Sequence, residues 1–271
     1  MAKVTIAGSN VNVAALAGSN LNTVAIGSAI TAAAPAPPSY NPNAVPWVSH
    51  WWAEGDAFTA LSLADGADVA AWPDEDANQA DLAQAVEANR PHYRSSFAAL
   101  NDKPAVEFGD NVNMGLSLQV SGTFTYPMSW VFVCSVDSTG NNTLMDGTAN
   151  LWRNLVRPTA TTRPQLFAGS FPGVMGSNDT ELGAHLVVAY FDGGSGADTM
   201  YIDETLEISG NAGSGRISDT RRLRLGIDES DAFAHDGGIA FFGAYEGDVR
   251  ADDAWSGFTT WVEDYYGITL A

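Results

Sequence analysis

The sequence predicts an all-β protein: a two-sheet antiparallel sandwich with a short C-terminal helix and an N-terminal β-repeat arm. Three observations predict it. Short apolar runs broken by Gly, Asp and Asn recur every ten to twenty residues from Trp47 onward, which is the spacing of sandwich strands and their turns. Gly (27) and Pro (12) are abundant while charged residues make up only 16%, so turns are plentiful. Hydrophobic residues reach 45% and aromatic residues 10%, enough for a large packed core.

The chain opens on a repeat. AGSNVNVAAL (7–16) is followed by AGSNLNTVAI (17–26) and a truncated GSAI (27–30). Val11, Val13, Leu16, Leu21, Val24 and Ile26 alternate with small and polar residues in the strand period. Gly-Ser-Asn supplies the turn. Two and a half copies are too few for a free-standing solenoid. Residues 1–31 therefore read either as an anchoring or oligomerisation arm that completes a sheet elsewhere, or as a hairpin folded back on the main domain, and the arm is the reading carried forward. Residues 32–46 hold five prolines and no charge, and read as a semi-rigid linker. The main domain is then 47–271.

Within it the strand candidates are 68–74, 103–108, 129–136, 142–147, 164–169, 184–193, 198–208, 221–228 and 237–247. Residues 252–267 have helical periodicity instead. Trp255, Phe258, Trp261, Val262 and Tyr265 share one face, Asp252 or Asp253 can cap the start, and Gly267 ends it.

Charge excludes several partners. The first 53 residues contain Lys3 and no carboxylate, so the rest holds 32 acids against 11 basic residues, a net of −21. Such a field repels nucleic acid and anionic membrane. No apolar run approaches the roughly 20 residues that span a bilayer, and no secretory leader is expected. Cys134 is alone and reads as a buried thiol.

Several stretches resemble the concanavalin A-like or laminin G-like jelly roll. Trp72, Asp74, Asn78, Arg90, Pro91 and Tyr93 in 51–96 occupy the places of that family's opening motifs, although DEDANQ replaces its Gly-Asn-Gly loop. LNDKPAVEFGD (100–110), the strands of 185–208 and 223–247, and the ending WSGFTTWVEDYYGI (255–268) are similar to later elements of the family. The resemblance implies a jelly roll over 47–271. It further implies a non-enzymatic structural protein displayed on a tailed-phage virion surface. Its partners would be other virion proteins or copies of itself, and host-surface glycan where it adheres. A free lectin or a glycan hydrolase is the alternative class.

The chemistry-bearing residues are few. There is no G-x-S-x-G elbow, and His50, His92, His185 and His235 form no H-E-x-x-H pair. Asp203, Glu204 and Glu207, read as one strand, do not form a close pair on one face. The expectation is that the chain is not an enzyme. Calcium is the one cofactor considered, with Asp74, Asp76 and Asn78 or Asp228 and Asp231 as oxygen ligands. For a glycan or partner, Trp152 with Arg153 and Arg157 is the candidate platform, because it lies in a polar stretch whereas the other tryptophans read as core.

Overall fold

The computed structural model describes residues 40–109, 115–119, 124, 126–138, 143–147, 155–157, 164–168, 173–176, 182–193, 197–213, 222–227 and 234–271. The chain divides into two units, Met1–Pro37 and Pro38–Ala271, and all described residues belong to the second. The repeat residues Val11, Val13, Leu16, Leu21, Val24 and Ile26 lie outside them.

The early strands are β1 (Ser49–Trp52), β2 (Ala71–Trp72), β3 (Leu82–Ala83), β4 (His92–Phe97) and β5 (Lys103–Phe108), with a one-turn helix α1 (Asp56–Thr59) after β1. The middle strands are β6 (Leu116–Gln119), β7 (Met128–Val136), β8 (Met145–Gly147), β9 (Leu155–Arg157), β10 (Gln165–Phe167) and β11 (Val174–Met175). Then come β12 (Gly183–Phe191), β13 (Asp198–Ile202), β14 (Thr205–Gly210), β15 (Arg222–Leu225), β16 (Gly237–Glu246) and the helix α2 (Trp255–Tyr266).

They form two antiparallel sheets. The first runs β14-β13-β12-β7-β16-β5-β4, with β1 beside β16, and the second runs β11-β10-β9-β8-β15-β6-β3-β2. One edge of β16 serves two strands end to end: Gly237–Ile239 pairs with β5 and Phe241–Ala244 with β1. This is the sandwich expected from the strand spacing.

The central strand β7 is apolar apart from Ser129 and Ser135, and all of it is buried because both of its faces are covered. Trp130, Phe132 and Cys134 point into the space between the sheets and meet Leu116, Leu144, Met145, Leu166, Leu223 and Leu225. Trp51 stacks on Phe242 at 5.0 Å, and Phe242 stacks in turn on Trp130 at 5.6 Å, joining β1, β16 and β7. Burial raises the Cys134 thiol pKa well above the usual range, so this thiol is core.

The opposite face of β7 presents Val131 and Val133, which with Leu186, Val188 and Phe241 receive α2 through Trp255, Phe258, Trp261, Val262, Tyr265 and Tyr266. The helix stops at Gly267, whose φ of 69° is left-handed, as its sequence requires. Its start differs from expectation. Ala254 holds the cap position with no side-chain bond, and the Asp252 carboxylate accepts the Ala254 N–H at 2.8 Å one residue earlier.

Two sequence boundaries shift. The second half of the expected linker packs on the domain: Tyr40 contacts Trp261 at 6.1 Å, Val45 is buried, and Trp47 Nε1 donates to Pro42 O at 2.9 Å. Aromatic and apolar residues here outweigh the prolines' tendency to stand off. The run 198–208, read as one strand, is the hairpin β13–β14, turned at Asp203 and Glu204 with φ of 51° and 65°.

Candidate functional site

Helix α2 covers only part of the first sheet's outer face. Where β7 ends and β12 and β16 begin, that face carries small and polar residues instead. Glu107 of β5 lies opposite Gly238 of β16, whose N–H donates to Ser135 Oγ at 2.8 Å, and Ser135 lies opposite Ala184 of β12. Two strand spacings therefore separate Glu107 from Ser135, about 10 Å, with no side chain on the glycine between them.

A cleft of about 680 Å³ opens over this floor. Phe97, Ala98, Ala99 and Leu182 give it an apolar wall, and Arg94, Glu107 and Asp137 face it with polar groups. Leu182 is 53% exposed, the kind of apolar surface a ligand can cover. Gly183 lies in the cleft with φ of 129°, a conformation glycine alone adopts readily, and a side chain there would project into open space.

Arg94 and Glu107 form the main charged pair. Arg94 Nε and Nη2 both donate to Glu107 Oε2 at 2.7 Å, which leaves Oε1 with no bond to another described residue. Asp137 reaches solvent. Burial of its carboxyl raises its pKa, a Ser135 hydrogen bond opposes this, and the charges of Asp236 and Glu107 reinforce it. At the rim, the Ser95 N–H and hydroxyl both donate to Asp65 and hold its carboxyl below the usual range.

The residues singled out from the sequence go elsewhere. The Asp74 carboxylate is 5% exposed and accepts four backbone N–H groups, from His50, Asp76, Asn78 and Gln79, at 2.7 to 3.2 Å. Asp76 bonds His50 Nδ1 at 2.6 Å, and Asn78 Nδ2 donates to Val48 O at 2.9 Å. Glu75 accepts from the N–H groups of Ala57 and Phe58 at the start of α1. The DEDAN loop is thus a clasp between β1, α1 and β2. Its acidic groups answer N–H and imidazole donors. Among the described residues no group of three His, Cys, Asp or Glu side chains could hold a metal.

Asp228, Asp231, Trp152 and Arg153 lie outside the described residues, and Arg157 ends β9 opposite Gln165. The remaining seven tryptophans are packed: Trp51, Trp72 and Trp130 are fully buried, and Trp52 contacts Trp261 at 5.8 Å. His185 pairs with Asp203 at 2.7 Å and His92 with Asp68 at 3.1 Å. Glu204 pairs with Arg250 at 3.0 Å and accepts Trp255 Nε1 at 3.1 Å, tying the β13–β14 turn to α2. These are structural roles.

Arg94, Glu107 and Asp137 were not legible as a site. The one signal was alternation in KPAVEF, which puts Glu107 on the same face as Ala105, a residue of the core beneath α2. A charged residue on the covered face of a central sheet marks where the covering stops.

Solved structures share this sandwich. Domain 4 of AbnA, a GH43 extracellular arabinanase from Geobacillus stearothermophilus in complex with arabinotriose, superposes with a TM-score of 0.53 at 15% identity. That match covers 81% of this chain and 98% of that one. An arabinofuranosidase complexed with arabinofuranosyl-alpha-1,2-xylobiose gives 0.55 at 13% identity, over 78% of this chain and 54% of that one. Trypanosoma rangeli sialidase in complex with sialic acid gives 0.50 at 14% identity, over 80% of this chain and 32% of that one. What is shared at such identities is the fold. This chain spans about half of the arabinofuranosidase chain and about a third of the sialidase chain. No family model matches the sequence, and no curated protein does.

These neighbours correct one expectation. The chain was expected not to be an enzyme, yet proteins sharing its sandwich include an arabinanase, an arabinofuranosidase and a sialidase. The physical reason is that glycoside hydrolysis typically uses two carboxyl groups brought together by the fold. Missing nucleophile and histidine motifs therefore exclude nothing. None of the three is described as a virion protein, so the virion setting gains no support from them.

Proposed function

We propose that the sandwich recognises a carbohydrate and that the cleft beside α2 is where it binds. One observation carries the reading: an open cleft on this fold sets Leu182, Ala98 and Ala99 against the Arg94–Glu107 pair. A sugar ring offers C–H faces to the first wall and hydroxyls to the second, and Glu107 Oε1 is free to accept one of them. The arabinanase domain bound to arabinotriose supports arabino-oligosaccharides as the first ligands to try. Calorimetric titration with arabinotriose, alongside a glycan array, tests the reading. Binding that Arg94→Ala weakens more than tenfold supports it, and no glycan binding at millimolar concentration sinks it.

A second reading is hydrolysis in the same cleft. It is favoured by Asp137, whose raised carboxyl faces Glu107 across the glycine floor as an acid faces a base. Release of reducing ends from arabinan, lost in Asp137→Asn, would support it. The repeat arm is proposed to anchor the sandwich to a partner or to a second copy, with display on a virion surface as the setting the resemblance implies. Because Tyr40 and Val45 pack on the domain, the deletion that tests anchoring removes 1–39. Unchanged assembly of that truncation would refute it.

A further inference from the structure

The balance of charge in the cleft carries more than its location. Among the described lining residues, three carboxylates, Asp65, Glu107 and Asp137, stand against a single guanidinium, Arg94. That guanidinium is spent on Glu107 through two bonds to one oxygen. The other basic group near Glu107, His92 across the β4–β5 register, is itself paired with Asp68. Behind Asp137 stands a further acid, Asp236, whose carbonyl accepts the Asp137 N–H at 2.9 Å and whose charge acts on it. The whole chain adds a net charge of −20. A negatively charged ligand therefore meets repulsion at long range and finds no unpaired cation among the described lining residues. Hydroxyl groups, in contrast, are donors, and carboxylate oxygens are the strongest acceptors available to them.

We infer that the cleft selects uncharged oligosaccharides and rejects glycans that carry a carboxylate. The inference rests on the carbohydrate reading above and divides the substrates of this fold. Neutral pentose or hexose chains are admitted; sialylated chains and uronic-acid chains are excluded. Selectivity is set by Glu107 and Asp137, the two carboxyl groups flanking the glycine floor, and the overall charge adds a salt-sensitive part.

The test titrates the full-length protein with arabinotriose and with trigalacturonic acid, at low and at high salt, and screens an array holding neutral and acidic glycans. The expected result is that the acid binds at least about tenfold more weakly, with a gap that narrows as salt screens the repulsion. The gap also narrows in the Glu107→Gln/Asp137→Asn double variant. Acidic glycans binding as tightly as neutral ones overturn the inference and leave the carbohydrate reading standing. So does a preference for neutral glycans unmoved by both salt and the double variant. Silence across the whole array removes the carbohydrate reading and the inference with it. The salt series on the unmodified protein needs no variant to fold.

Discussion

Replacing Asp74 by alanine removes a carboxylate that closes the loop between β2 and β3 and ties it to β1. In the structure its two oxygens take the N–H groups of Asn78 at 2.9 Å and Gln79 at 2.7 Å, and more loosely those of His50 at 3.1 Å and Asp76 at 3.2 Å. A net hydrogen bond to a charged group is worth about 1.5–3 kcal/mol, and a donor left buried costs about 1–3 kcal/mol. The two short bonds and the orphaned His50 N–H give the larger share, since His50 is fully buried while the rest of the loop can reach water. The expected loss is about 4 kcal/mol, at the upper end of what single substitutions do. Asp74→Asn, which keeps one acceptor oxygen, should lose about half of that.

Urea unfolding followed by tryptophan fluorescence measures it directly, with an unchanged m-value showing that stability alone has moved. In a domain of this size the alanine variant should melt about 8–16 °C lower. The same experiment separates a clasp from a calcium ligand. If Asp74 held an ion, calcium would raise the melting point of the native protein and the gain would vanish in the variant. A loss under about 1 kcal/mol, or a calcium-dependent shift that disappears with Asp74, refutes the reasoning.

Other outcomes follow from the same structure. Burial lowers the His235 pKa from 6.5 to about 3, against the pull of its contacts with Ser135 and Gly238. The unfolded chain therefore binds a proton that the folded chain excludes, and stability falls as pH drops from 6.5 toward 3, by up to about 1.4 kcal/mol per pH unit. The stability difference between the native protein and His235→Leu should show that slope, and a flat difference would contradict it. Trp261 is 3% exposed and meets Phe258 at 5.4 Å, Tyr265 at 5.8 Å and Tyr40 at 6.1 Å. Trp261→Ala should cost about 3–5 kcal/mol in chemical denaturation, and a loss near 1 kcal/mol would mean α2 is weakly docked. Arg94→Ala should move stability by less than about 1 kcal/mol, because its ion pair is open to water. If the cleft binds sugar, the same change lowers affinity more than tenfold by titration.

Much of the fold was legible in the sequence, and for local reasons. The run from Ser129 to Val136 is apolar at every second position, with Val131 and Val133 between two serines at the others, and all of it is buried. Aromatic residues at three- and four-residue spacing before Gly267 specify a helix, its buried face and its end. The DEDAN acids show where local reading stops. Their spacing suits an ion as well as it suits a loop clasp, and the deciding donors come from His50 and Ala57, which precede them by about twenty residues.

By itself the sequence determined the class of fold, the amphipathic helix and a strongly negative net charge, because period, turn chemistry and charge are properties of short segments or of sums. Only the tertiary structure assembled the candidate cleft. Glu107, Gly238 and Ser135 lie far apart along the chain and become neighbours through the order β5-β16-β7. That order depends on strand pairing over long sequence separations, which no window of residues carries. Among the described residues, α2 packs over Val131 and Val133, and none of its side chains lines the cleft. A site made by what a helix does not cover has no motif of its own.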